Sequence, residues 1–274
     1  MRHLLLLCSL LLAGCANLSP QDRWRHADEL AAQAGWKKLS IATDTFNLTA
    51  FIPTDIEERD SLTIYIEGDG LAWLSRSRPS TDPTPLNPVG LRLAMRDPQG
   101  SAVYLARPCQ YADENSARNC KQMYWTNARF SEAVIAASDQ AVDALKRRFS
   151  ARKLVLVGYS GGGAVAALVA ARRNDIAQLV TVAGNLDHLA WTSMHRIPPL
   201  DASLNPVDAW KSLASIPQLH YVGGNDDVVN RAVTESFASF FSSGRRPKII
   251  EIPEFSHSCC WVERWAEIWE RERH

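Results

Sequence analysis

The sequence predicts an α/β protein, with a mainly parallel sheet covered by helices on both faces and built as one domain. Three observations carry that reading. Short aliphatic runs alternate with segments of helical apolar spacing through most of the chain, the pattern of strand–helix–strand units. One run, Lys153–Val157, is aliphatic without interruption apart from its first residue, as expected of a strand covered on both faces. The 274 residues show no internal repeat and no low-complexity linker, which suits one such domain with a sizeable core.

The elements follow in order. Ser19-Pro20 ahead of Arg23–Gln33, with Gly35 just beyond, reads as a capped helix. Trp36–Thr43 and Phe46–Pro53 read as strands joined by a turn at Asp44, and Ser61–Glu67 as a short strand entering Gly68-Asp69-Gly70. Leu71–Pro88, rich in Pro, Ser and Asp, is expected to be loop. A helix from Asn87-Pro88 to about Arg96 and a strand at Ala102–Ala106 come next, then a long loop, Arg107–Trp125. Asn127–Phe149 has helical spacing. After Lys153–Val157, a sharp turn at Gly158–Gly163 leads into Ala164–Arg173, apolar all round and so expected to be a buried helix. The remaining strands are Ile176–Ala183, Gln218–Gly223 and Lys248–Ile252, and the remaining helices Val229–Phe241 and Cys260–Arg273. Between them, residues 184–215 form a cap segment with short helical pieces.

Lys plus Arg equals Asp plus Glu at 30 each, so no basic excess points to nucleic acid. Nine tryptophans argue for large apolar contacts. Trp261, Trp265 and Trp269 repeat at helical spacing, as the buried face of the last helix would.

The N-terminus carries a targeting pattern. Met1-Arg2-His3 is a short positive start, and the leucine-rich Leu4–Leu12 is too short to span a bilayer but has the size of a signal-peptide core. It ends in Leu11-Leu12-Ala13-Gly14-Cys15, which resembles the bacterial lipobox. The resemblance implies removal of residues 1–14 and lipidation of Cys15. Ala16 rather than Asp after that cysteine implies the outer membrane, with the protein facing the periplasm. On this reading residues 15–44 are a lipidated N-terminus with a helix, ahead of the main domain at 45–274. Four cysteines then remain in an oxidising compartment, and they allow three pairings. Cys109–Cys120 with a vicinal Cys259–Cys260 is the favoured one, and closing the first loop is worth roughly 3 kcal/mol on the entropy model. No Cys-x-x-Cys or His-x-x-x-His spacing suggests zinc.

The chemistry centres on Gly158-Tyr159-Ser160-Gly161-Gly162, a Gly-x-Ser-x-Gly string between a buried strand and an apolar helix. In that setting the serine sits on a strained turn, and the flanking glycines let strand and helix nearly touch. This resembles the nucleophile elbow of the α/β-hydrolase superfamily, and the likeness extends over about residues 45–274. The resemblance implies the α/β-hydrolase fold and the chain order serine, acid, histidine. Ser160 is then the nucleophile. Tyr221-Val222-Gly223-Gly224-Asn225-Asp226-Asp227-Val228-Val229 matches the family's acid loop and selects Asp226, with Asp227 one residue away. His257, after the last strand, is the base, since only the terminal His274 otherwise follows the acid. Gly161 N–H supplies one oxyanion donor. The loop after Ser61–Glu67 supplies the other through Asp69 N–H, with Glu67 where the family has histidine.

The implied function is hydrolysis of an ester or related acyl bond through an acyl-serine, with no metal or organic cofactor. The partners expected are a small-molecule or lipid acyl substrate and, through the lipid, a membrane. A thioesterase, acyltransferase or peptidase would use the same triad, and a non-catalytic envelope-binding lipoprotein would use the same fold. Nucleotide binding is disfavoured. Gly161-Gly162-Gly163-Ala164-Val165-Ala166 formally fits Gly-x-Gly-x-x-Ala, but it starts three residues late and no acid ends the next strand, Val180-Thr181-Val182-Ala183. Asp187, His188 and His195 read as surface groups of the cap segment. Trp73, Trp191, Met194 and Trp210 are candidates for an acyl pocket or for packing, and Glu67 for contact with a substrate amine.

Overall fold

The structure, a computed structural model, describes residues 19–55, 60–113 and 115–271. Residues 1–14, Cys15 and His274 lie outside the described residues, as do the expected signal peptide and lipidation site.

The chain opens with α1 (Pro20–Gln33), whose N-cap Ser19 accepts from Asp22 N while the Asp22 carboxylate accepts in return from Ser19 N. Strands β1 (Trp36–Ala42), β2 (Asn47–Pro53) and β3 (Ser61–Ile66) follow. The expected loop then contains a two-stranded ribbon, β4 (Trp73–Ser75) with β5 (Arg78–Pro79), too short to leave an alternating pattern in its sequence. Next come α2 (Val89–Ala94), β6 (Ala102–Leu105), α3 (Glu132–Arg148), β7 (Lys153–Tyr159), α4 (Gly161–Ala170) and β8 (Ile176–Val182). The chain continues with α5 (His188–His195), α6 (Trp210–Leu213), β9 (Gln218–Gly223), α7 (Arg231–Ala238), β10 (Lys248–Ile252) and α8 (Trp261–Arg271).

Eight strands make one sheet in the order β1-β2-β6-β3-β7-β8-β9-β10, parallel from β6 to β10, with β2 antiparallel to both its neighbours. β1 pairs with β2 along its whole length, from Trp36 opposite Pro53 to Ala42 opposite Asn47. Residues 36–42, ahead of the expected domain start at 45, are therefore part of the same sheet.

Alternation along β7 sorts the core onto two faces. Leu154 and Leu156 point into a cluster with α3, α4 and Phe237 of α7. Val155 and Val157 point to the other side, where Ala27 and Ala31 of α1, Leu91 of α2, and Trp261, Trp265 and Trp269 of α8 pack. All ten residues of α4 are buried. The tryptophan face of α8 is as the spacing predicts, and Trp265 Nε1 also donates to Tyr65 OH at 2.8 Å.

Three helix starts differ from the sequence reading, and α4 begins at Gly161, inside the expected turn, rather than at Ala164. α3 begins at Glu132 rather than near Asn127 because residues 127–130 dock the cap segment. Ser203 Oγ donates to Asn127 O at 2.7 Å, and Leu204 N donates to Phe130 O at 3.0 Å. α7 starts after Asn230, whose side chain accepts from Ala232 N. Both favoured cysteine pairs are joined, Cys109 to Cys120 and Cys259 to Cys260.

Candidate active site

Ser160 stands at the end of the central strand β7, on the turn into α4. Its φ of 52° and ψ of −123° lie where side chains are disfavoured, a strain of about 1–3 kcal/mol that a dense surround must hold. The glycines make the turn possible. A Cβ on Gly158 would come within 2.3 Å of Gly162 O, and one on Gly162 within 2.3 Å of Ile66 O.

The three residues singled out from the sequence meet there. His257 Nε2 lies 3.0 Å from Ser160 Oγ, and His257 Nδ1 lies 2.9 Å from Asp226 Oδ2. Asp226 is buried, and its other oxygen accepts from Val228 N at 2.9 Å and Val229 N at 2.8 Å. Asp227 is exposed on the same loop. The acid and histidine loops are stitched together by Gly224 N to Ile252 O and Asn225 N to Phe255 O, each 2.9 Å. The carbonyl of His257 accepts from Tyr159 OH and Trp261 Nε1, both at 3.1 Å, and the Tyr159 ring packs beside the imidazole. Neither anchor was evident from the sequence, although Tyr159 belongs to the elbow motif and Trp261 opens the last helix.

A cleft of about 410 Å³ opens over Ser160 and His257, lined also by Glu67, Asp69, Gly161, Asn185 and Trp191. Among the described residues, neither Gly161 N–H nor Asp69 N–H has a hydrogen-bond acceptor. The Asp69 carboxylate lies against Gly161, since a Cβ on that glycine would come within 2.1 Å of Oδ1. Arg107 Nη1 donates to Oδ1 at 3.1 Å, and Arg129 Nη1 pairs with Oδ2. Burial would raise the pKa of Asp69, but Arg129 and Arg107 more than offset it and hold the carboxyl below its ordinary range. A fixed anion beside Ser160 is thus outweighed by two cations. The two arginines, 22 residues apart, carry no local signal that would have linked them to Asp69.

Several expectations need correction. Glu67 borders the cleft, but its carboxylate is taken up by backbone amides rather than left open for a substrate amine. Its carboxylate accepts from Gly68 N at 3.0 Å, Gly90 N at 3.1 Å and Leu91 N at 3.4 Å, tying β3 to the start of α2. Burial raises its pKa, and those amides offset part of the rise. Asp187 and His188 are buried rather than on the surface. Asp187 caps α5 through Leu189 N and Ala190 N and also accepts from Asn205 and Ser236. The His188 ring packs on Phe130, and burial lowers its pKa. Half-buried His195 and Trp191 both bond Val228 O, at 2.7 and 2.8 Å, which latches the cap helix to the acid loop. Trp73 and Trp191 line the cleft, whereas Trp210 packs on Phe241, and Met194 lines neither this cleft nor its larger neighbour.

The sequence model of the FSH1 serine hydrolases matches residues 90–257, more than half the chain and a span that holds Ser160, Asp226 and His257. The chain belongs to that serine hydrolase family. It is an enzyme of the α/β-hydrolase superfamily. Solved structures agree on the fold. An α/β serine hydrolase homologue from Coxiella burnetii is 18% identical, covering 87% of this chain and 97% of that one with a TM-score of 0.59. Est1E from Butyrivibrio proteoclasticus is 15% identical over 86% and 97% of the two chains, with a TM-score of 0.58. An esterase from Pyrococcus furiosus is 13% identical over 94% and 91%, with a TM-score of 0.59. At these identities the likeness is one of fold. No curated protein matches the chain by sequence.

Proposed function

We propose that this serine hydrolase cleaves carboxylic esters or related acyl compounds through an acyl-Ser160 intermediate, at a bacterial envelope where Cys15 carries its lipid anchor. The observation that carries the chemistry is the continuous relay from Asp226 through His257 to Ser160, with links of 2.9 and 3.0 Å. Each is within the reach expected of a working nucleophile–base–orienter set.

His257 Nε2 takes the Ser160 proton as Oγ bonds to the acyl carbon. The carbonyl becomes an oxyanion facing the N–H groups of Gly161 and Asp69, which have no acceptor among the described residues. Collapse breaks the bond to the leaving group, which departs with the proton from His257. A water deprotonated by the same nitrogen then attacks the acyl-serine and releases the acid, restoring Oγ–H. Buried Asp226 holds Nδ1–H and stabilises the imidazolium. Loss of one oxyanion donor in such a site costs about 3–4 kcal/mol. The Asp69 carboxylate beside Gly161 would oppose a developing oxyanion, and its pairing with Arg107 and Arg129 reduces that penalty.

The envelope reading is supported by the signal-like N-terminus and the lipobox-like Leu11–Cys15. A short leucine run cannot anchor the chain once removed, whereas acyl chains contribute about 0.8 kcal/mol per buried methylene. The test is turnover of 4-nitrophenyl esters of graded chain length by the native enzyme and by Ser160→Ala. Hydrolysis that falls at least a thousandfold in the variant is expected. Activity within tenfold of the native enzyme on every good substrate would overturn the mechanism.

A further inference from the structure

Beside the catalytic cleft lies a second, larger cavity of about 680 Å³, within the range of small-molecule sites. The two share Trp73, Arg129 and Trp191 in their walls, so they lie side by side. The charge in the second cavity is one-sided. Arg129 and Arg76 line it, and no aspartate or glutamate among the described residues does. Arg76, exposed in the turn between β4 and β5, has no ion-pair or hydrogen-bond partner among the described residues. Arg129 is buried and fixed in place. Its Nε donates to Thr126 O at 2.6 Å, its Nη1 meets Asp69, and its guanidinium packs 5.8 Å from the Trp191 ring. No hydrogen bond occupies Arg129 Nη2 among the described residues. Asp69, also held by Arg107, leaves the three-residue cluster with one net positive charge. A cleft with aromatic walls, one fixed guanidinium and one free one complements an anion on an organic scaffold.

We infer that the second cavity is a substrate subsite for an anionic group, a carboxylate or phosphate, carried on the same molecule as the bond that Ser160 cleaves. The inference rests on the acyl-serine reading and adds the substrate class. A neutral ester fills the catalytic cleft alone, whereas an anionic one also engages Arg129 and Arg76.

The test compares substrates matched except for charge. On the acyl side these are mono(4-nitrophenyl) glutarate and its methyl ester. On the alcohol side they are 4-acetoxybenzoate and its methyl ester, with 4-acetoxyphenyl phosphate to separate phosphate from carboxylate. In at least one series the anionic member should have a kcat/KM about tenfold higher at low salt, and the preference should shrink as salt rises. Arg76→Glu should cut that preference to about threefold or less, and Arg129→Lys, which keeps charge but loses the planar fork, should reduce it as well. The readout is a ratio within each variant, so partial loss of folded enzyme cancels. Neutral members preferred in both series, or a preference unchanged in both variants, would overturn the subsite. Loss of all ester hydrolysis in Ser160→Ala tests the nucleophile separately, so failure of one reading is distinguishable from failure of the other.

Discussion

Replacing Asp226 by Asn changes one atom, and the structure dictates where that atom goes. Asp226 Oδ1 accepts from two amides, Val228 N at 2.9 Å and Val229 N at 2.8 Å. An amide nitrogen in that place would face two donors, so the asparagine oxygen must take it. The Nδ2 group is then turned toward His257 Nδ1, where Oδ2 now sits at 2.9 Å. A donor there forces Nδ1 to be the acceptor and leaves the imidazole proton on Nε2. That proton points at Ser160 Oγ, 3.0 Å away, and Nε2 can no longer accept from the serine. The variant thus loses both the right tautomer and the charge that stabilises imidazolium. In the serine-protease template the same change lowers turnover by about 10⁴-fold, roughly 5.5 kcal/mol of transition-state stabilisation. Asp227→Asn, at an exposed position, should stay within about threefold of native. Both variants would be assayed for kcat with saturating 4-nitrophenyl ester at neutral pH, with thermal unfolding as a control on the fold. Asp226→Asn within tenfold of native, or Asp227→Asn as the crippled variant, would mean that Asp226 is not the acid of the triad.

Further outcomes follow from the core and the N-terminus. Burial pushes the His220 pKa down to about 3, so the folded state keeps this ring neutral while the unfolded chain binds a proton near pH 6.5. Its contribution to stability is intact above about pH 6.5 and is lost as pH falls toward 3, by up to about 1.4 kcal/mol per unit. Denaturant titrations at pH 7 and pH 5 should therefore differ by about 2 kcal/mol more in the native protein than in His220→Gln. Equal pH dependence in the two would count against a neutral buried imidazole. At the other end of the chain, Cys15→Ser should move the protein from membranes to the soluble fraction. Carbonate-resistant membrane association of that variant would contradict lipid anchoring.

How much was legible depended on how local each feature is. The elbow could be read because strand, turn and helix are contiguous, and its glycines answer to backbone contacts only 2.3 Å from any added Cβ. Asp226 and His257 could be placed because each follows a strand of the parallel sheet, so chain order implies position. The ribbon of β4 and β5 was missed because its strands are only three and two residues long. Asp187 and His188 look exposed in sequence because they are polar residues on a cap segment, and their burial follows only from contacts with Asn205, Ser236 and Phe130. Glu67 was open to a ligand role because nothing nearby shows that Gly90 and Leu91 amides, 23 and 24 residues on, would claim its carboxylate. The Asp69–Arg107–Arg129 cluster joins the loop after β3 to two distant points of the β6–α3 connection and has no periodicity to reveal it.

Ser160, activated by His257, should form a covalent adduct with acyl-type electrophiles. A fluorophosphonate probe reports this directly, because it phosphonylates only a serine that a neighbouring base makes nucleophilic. After labelling of the purified protein, peptide mass spectrometry should place a single adduct on the peptide containing Gly158–Gly162. Labelling should disappear in Ser160→Ala and slow strongly in Asp226→Asn. An unlabelled native protein, or an adduct on another serine that persists in Ser160→Ala, would exclude Ser160 as the activated nucleophile.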